Sequence, residues 1–181
     1  MVLVIAAVGK SGSGKTTTLE YLISNLASEG YKIGAIKHIY HKDFKMDKEG
    51  TNTWRYAKAG AKVITAVSAE EIVIIKRKKV TLNKLEQVLE LLGNEKLDII
   101  ILEGFRGLIK KRTDVLKVIT ATDKDSLRET LDETIQPIIA VAGVIGHQKP
   151  KFELGIPIIN IPEEGKQLVK LVKEQLRAKE N

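Results

Sequence analysis

The most constraining feature of this chain is a junction near its start. Val2–Val8 is an unbroken apolar run with β-branched residues, Gly9–Thr16 is rich in glycine, and Thr16–Ser28 carries Leu19, Leu22, Ile23 and Leu26 at helical spacing before Gly30. An apolar run without alternation reads as a central parallel strand buried on both faces. Ile33–Ile36 reads as a second strand. Strand, loop, helix and strand in that order imply a right-handed parallel crossover, which confines the chain to α/β architectures.

The loop itself, Gly9-Lys10-Ser11-Gly12-Ser13-Gly14-Lys15-Thr16, matches the pattern G-x-x-x-x-G-K-S/T. Glycines let the backbone fold around a phosphate with its N–H groups pointing inward. Lys15 supplies a point charge to the β and γ phosphates, the Thr16 hydroxyl is a Mg²⁺ ligand, and the following helix directs its N-terminal dipole at the anion. Thr17 completes the binding set. A Gly/Ser turn arising by chance does not usually sit between a buried strand and an amphipathic helix, so the context supports a nucleoside triphosphate with Mg²⁺.

Beyond the junction, 38–53 is polar and irregular, and a helix is expected from Thr53 to Ala59. Val63–Val67 and Ile72–Ile75 read as a hairpin. Leu82–Leu92 reads as an amphipathic helix, Ile99–Leu102 and Val115–Thr120 as strands, Ser126–Leu131 as a short helix and Ile138–Val141 as a strand. Gly143–Gly155 reads as a loop, Ile158–Ile161 as the last strand and Glu163–Ala178 as the last helix. The expected fold is a mostly parallel sheet with helices on both faces, in a single nucleotide-binding domain over residues 1–181.

Ligands of open parallel sheets bind at the carboxyl ends of the strands. Glu103 follows the strand Ile99–Leu102, so it is the expected acidic partner of Mg²⁺. Asp98 begins the same strand, about 17 Å away by strand rise, and reads as a cap or surface residue. Asp47 is a second candidate for the metal. His38, His41 and Asp43 form a weaker cluster in a stretch that reads as loop. Arg55 and Arg106 are candidate transition-state arginines, and Lys110, Lys111 and Arg112 extend a basic rim beyond Arg106, a candidate phosphate-binding rim.

Composition excludes several classes. The chain has 181 residues, net charge +7 and no cysteine, which removes disulfides, thiolate metal sites and Cys nucleophiles and suits a reducing cytoplasm. Aromatics are only 4%, and the basic runs Lys76–Lys79 and Lys110–Arg112 are not interleaved with them, so nucleic-acid stacking platforms are not expected. The N-terminal apolar run is too short to span a membrane. A soluble cytoplasmic protein, with neither nucleic acid nor membrane as partner, is the expectation.

The residues Gly9–Thr16, Lys37-His38 with His41, Asp47, Gly50, Thr53-Trp54-Arg55, Ala59-Gly60-Ala61 and Leu102-Glu103-Gly104-Phe105 occur in an order that resembles the MobB family. These are GTP-binding accessory proteins of molybdopterin guanine dinucleotide biosynthesis, within the P-loop NTPase superfamily. The resemblance runs over residues 1–107. It implies a three-layer P-loop fold, a homodimer with weak GTPase activity, partnership with the molybdopterin guanylyltransferase, molybdopterin or its guanine dinucleotide as ligand, and Asp47 and Glu103 near Mg²⁺. Lys15, Asp47 and Arg106 form the catalytic set of this reading.

The chain departs from the family where Gly50-Thr51-Asn52-Thr53 stands for the common Gly-Lys-Asp-Thr, which removes a charge pair from the loop expected at the γ-phosphate. It also lacks the guanine-reading Asn-Lys-x-Asp. The segment Lys10–Thr16 is similar to the loop of dimeric nucleotide switches, Lys-Gly-Gly-x-Gly-Lys-Thr, with Ser11 for the first Gly, so Lys10 is a candidate to reach a partner subunit's phosphates. Two competing readings remain at this level: a small-molecule kinase or dethiobiotin-synthetase-like ATP-dependent enzyme, and a nickel-delivery GTPase, which the absence of cysteine disfavours.

Overall fold

The structure is a computed structural model and describes residues 2–41, 43–148 and 154–180. The chain divides into two compact units, Met1–His38 with Asn83–Asn181, and Ile39–Leu82. The first contains β1 (Leu3–Val8), α1 (Lys15–Ser28) and β2 (Ile33–Lys37). The second contains α2 (Asn52–Lys58), β3 (Val63–Val67) and β4 (Ile72–Lys76). The chain then returns to the first unit with α3 (Leu85–Leu89), β5 (Ile99–Glu103), α4 (Arg106–Ile109), β6 (Leu116–Thr120), α5 (Lys124–Asp132), β7 (Ile138–Ala142), α6 (Val144–His147) and α7 (Gly165–Glu180).

The sheet of the first unit is all parallel, in the order β2-β5-β1-β6-β7. All six residues of β1 are buried, as a continuous apolar run demands. Its odd residues Leu3, Ile5 and Ala7 join Leu19, Leu22 and Leu26 of α1 and Leu168, Val172 and Leu176 of α7 in one core. The alternate residues Val4, Ala6 and Val8 are buried on the opposite face. Strand order reverses at β1: the chain first runs outward to β2, and from β5 it crosses to β6. The loop after β1 therefore opens at a topological switch point, where α/β sheets bind ligands.

Several elements differ from expectation. The helix expected at Leu82 starts at Leu85, because the Gln87 side chain accepts hydrogen bonds from the Asn83 and Lys84 amides at 3.1 and 3.2 Å, and it ends in a 3₁₀ turn, Glu90–Leu92. The expected strand Ile158–Ile161 shrinks to a single parallel bridge between Val141 and Ile158. Its backbone leaves the ladder to start the last helix: Asn160 N donates to the Glu164 carboxylate at 3.1 Å, and Glu164 N donates to Asn160 O at 2.8 Å. The expected loop Gly143–Gly155 contains α6. Part of that loop, 149–153, lies outside the described residues. The turn after β5 contains α4, which periodicity did not reveal because it is only four residues long.

In the second unit β3 and β4 pair antiparallel, and Ser68 N donates to Glu71 O at 2.9 Å to close the turn. Val63, Val67, Ile72 and Ile74 share one face of this hairpin and are each more than half exposed. A two-stranded ribbon has too few strands to bury both faces. Among the described residues no helix is long and apolar enough to cross a membrane.

Candidate functional site: a phosphate loop with a strand-end carboxylate

The loop after β1 is closed by contacts that only glycine permits. A Cβ on Gly9 would lie 2.1 Å from Thr120 O, and one on Gly143 would lie 2.0 Å from Ser13 O. Gly14 caps α1 with φ 91°, a left-handed conformation that glycine adopts at no steric cost. Ser13 is fully buried, and its hydroxyl bridges Thr120 Oγ1 (2.7 Å) and Lys10 O (2.8 Å). Val144 N donates to Ser13 O at 3.2 Å. The end of β6 and the Gly143 turn thus brace the loop from beneath. Ser11, Gly12, Thr16 and Thr17 remain exposed on its open side.

Lys15 leads into α1, and its ammonium donates to the carbonyls of Gly9 (3.2 Å) and Lys10 (2.6 Å). Burial pushes its pKa below the ordinary lysine value. The Glu103 carboxylate opposes that shift, and the nearby charges of Lys37 and Arg106 add to it. Lys15 thus has two further cations, Lys37 and Arg106, close enough to perturb it, an arrangement suited to a multiply charged anion.

Glu103 ends β5 and sits beside Thr16. The Thr16 hydroxyl lies 2.9 and 3.0 Å from the two Glu103 oxygens. A hydroxyl and a carboxylate at the mouth of a phosphate loop are hard oxygen donors, the set that Mg²⁺ takes. These residues fit the metal that the fold implies. Lys37, which β-sheet register places opposite Glu103, reaches the same carboxylate at 3.0 Å. At the other end of β5, Asp98 accepts a 2.7 Å hydrogen bond from Lys32 N and ties two strand ends together.

The turn after Glu103 is tightly specified. His38 N donates to Glu103 O at 2.8 Å, and a Cβ on Gly104 would meet His38 Cβ at 2.8 Å. Phe105 takes a left-handed φ of 54° and lies 4.9 Å from the His38 ring. Such a conformation in a non-glycine residue costs on the order of 1–3 kcal/mol and is typical of functional turns. It launches α4 and brings Arg106 toward the loop. Arg106 pairs with Glu133 at 3.3 Å, which Lys110 also reaches at 3.0 Å. The Arg106 Nε is buried with no hydrogen-bond partner among the described residues. Lys10, by contrast, points along the surface to Glu129 at 2.5 Å.

Asp47 belongs to the second unit. Its carboxylate accepts from Thr53 (2.8 Å), Thr51 (3.1 Å) and Arg77 (3.0 Å). Burial pushes its pKa up, but these hydrogen bonds outweigh it and hold the carboxyl below the ordinary range. No group of three or more His, Cys, Asp or Glu able to hold a metal occurs among the described residues, so His38, His41 and Asp43 are not gathered into one. Sequence reasoning did not assign roles to Lys37, Thr120, Gly143, Glu129 or Glu133. Only Lys37 left a signal there, in the pair Lys37-His38 that follows the expected strand Ile33–Ile36.

A cleft of about 520 Å³ adjoins the carboxylate, lined by Leu19, Ile23, Ile36 and Ile101 with Thr16, Lys37 and Glu103 among its polar residues.

Comparison with known proteins places the chain in a family and a fold. A protein of Methanocaldococcus jannaschii is 34% identical over 122 residues, 67% of this chain but 48% of its own length. The "Molybdopterin-guanine dinucleotide biosynthesis adapter protein" of Haemophilus influenzae is 31% identical over 140 residues, covering 76% of this chain and 72% of the relative. This chain therefore spans about half the length of the first relative. The crystal structure of Bacillus subtilis MobB superimposes with a TM-score of 0.69 at 24% identity, over 93% of this chain and 97% of that one, which establishes the P-loop fold. The profile of "Molybdopterin guanine dinucleotide synthesis protein B" matches residues 4–143, and the chain belongs to this MobB family.

Proposed function

We propose that this chain binds GTP with Mg²⁺ in the loop Gly9–Thr16 and serves, as a homodimer, as an accessory to the molybdopterin guanylyltransferase in molybdopterin guanine dinucleotide biosynthesis. The observation that carries the reading is the meeting of Lys15, Thr16 and Glu103 at one braced, glycine-closed loop. The name of the Haemophilus influenzae relative supports the pathway. The preference for guanine rests on family membership.

In this reading the backbone amides of the loop and Lys15 hold the β and γ phosphates, and Thr16 and Glu103 hold the metal. Bound Mg²⁺ supplies neutralisation of charge on the phosphate oxygens. Arg106 carries an unsatisfied guanidinium N–H beside Lys15 and is the arginine placed to meet the anion once it leaves Glu133. Asp47, the second acidic candidate, is engaged within its own unit by Arg77, Thr51 and Thr53. Among the described residues no glutamine is hydrogen-bonded to the loop Gly9–Thr16, and the expected hydrolysis is slow, well below about 1 s⁻¹.

A second reading, a P-loop small-molecule kinase or dethiobiotin-synthetase-like ATP-dependent enzyme, is favoured by the cleft beside Glu103, which has room for an acceptor. Calorimetry separates the two. GTP is expected to bind with Mg²⁺ more tightly than ATP, and Lys15→Ala to lose both. Unchanged triphosphate affinity in Lys15→Ala overturns the site. Tighter ATP binding with turnover above about 1 s⁻¹ in the presence of a small metabolite favours the kinase.

A further inference from the structure

Thr16, Glu103 and Lys37 form a closed triangle at the carboxyl ends of β2 and β5. The Thr16 hydroxyl directs its proton to Glu103. The Lys37 ammonium, 3.0 Å from Glu103 Oε1, also donates to Thr16 Oγ1 at 3.4 Å. An Oγ1 that gives its proton to a carboxylate has only lone pairs left, and a metal needs one of them. The ammonium approaches that same oxygen and that same carboxylate. A divalent ion and the ammonium are therefore alternatives at this position, by charge as well as by space, since two cations held against the same oxygens repel each other.

Resting on the reading of this loop as a Mg²⁺–triphosphate site, we propose that Lys37 is a built-in cation of the site. It occupies the metal position when no divalent ion is present, keeps Thr16 and Glu103 aligned, and must swing off before a metal can bind. Its backbone is fixed opposite Glu103 by the strand register, while its side chain is 54% exposed and has room to move. Without metal, the ammonium supplies the positive charge that a triphosphate needs. With metal, it is displaced from Glu103 and Thr16 into solvent. Lys37 is thus a positioning residue that sets how strongly triphosphate binding depends on Mg²⁺.

The test is a titration of a non-hydrolysable GTP analogue into the full chain, in EDTA and over a range of Mg²⁺ concentrations. In Lys37→Met, which keeps most of the aliphatic stem and removes the charge, affinity in EDTA is expected to fall about three- to tenfold, the scale of one partly exposed ionic contact. The Mg²⁺ concentration giving half of the metal effect is expected to fall by a similar factor, because the competitor is gone. Lys37→Arg, which keeps the charge, should stay within about twofold of wild type in EDTA. Metal-free and metal-dependent curves of Lys37→Met that superimpose on wild type would refute the internal cation. An equal loss with and without Mg²⁺ would refute it too, leaving Lys37 as a plain phosphate contact or structural residue. Absence of triphosphate binding by wild type under both conditions would instead remove the underlying reading of the site.

Discussion

Two regions of this protein assemble the same chemical parts and put them to different use. At the phosphate loop a carboxylate, Glu103, meets a threonine hydroxyl and a lysine. In the second unit a carboxylate, Asp47, meets two threonine hydroxyls and an arginine. The Asp47 carboxylate is covered by neutral donors and a guanidinium, which hold its pKa below the ordinary range, although the Arg77 Nε is itself buried without a hydrogen-bond partner among the described residues. The Glu103 cluster lies beside a loop whose glycines are needed for close backbone approach and whose own lysine is drawn onto carbonyls. A carboxylate with hydroxyls and a cation is therefore not in itself a binding site. Its neighbourhood decides whether the charges are already spent.

The sharpest way to probe this contrast is with glycines. Gly143→Ala would drive a Cβ to 2.0 Å from Ser13 O at φ +84°, so the brace beneath the loop must break. We expect a loss of about 3 kcal/mol in stability, read by thermal unfolding, and more than tenfold weaker triphosphate binding. Gly50→Ala in the second unit has φ +91° but meets nothing within 4 Å, and should cost only about 1 kcal/mol. Equal effects would mean that the loop is not braced as described.

Asp47→Asn tests the other side of the comparison. Its native carboxyl is held below the ordinary range, so its contribution to stability is fully present above the unfolded carboxylate pKa and is lost as pH falls through the lower folded value. Wild type should therefore lose protection of amides in the second unit below about pH 4, and Asp47→Asn should show reduced protection at pH 7 with a flatter acid dependence. If the substitution instead leaves amide protection intact and weakens Mg²⁺-dependent triphosphate binding, Asp47 is a metal ligand and the contrast with Glu103 fails.

The smallest effect belongs to Lys10. It shares the loop with Lys15 but is tied to Glu129 in a pair half exposed on both sides. Lys10→Ala should change stability by no more than about 0.5 kcal/mol. Sedimentation with and without a non-hydrolysable GTP analogue asks more: nucleotide-dependent association that disappears in this variant would assign Lys10 to the phosphates of a second copy.

The glycine loop, the strand before it and the helix after it were legible in the sequence because their signals are local: an apolar run, a spacing of glycines, an i, i+3, i+4 pattern. Glu103 was legible as a strand-end acid for the same reason. What local pattern could not carry was strand order. Lys37 stands opposite Glu103 only because β2 lies next to β5 and not next to β1, and Thr120 reaches Ser13 only because β6 flanks β1 on the other side. Arg77 finds Asp47 across thirty positions of chain. Periodicity states which face of a strand is buried. Which strand becomes its neighbour, and so which charge meets which, is settled by the packing of the whole sheet against its helices, a sum of contacts between residues far apart in sequence.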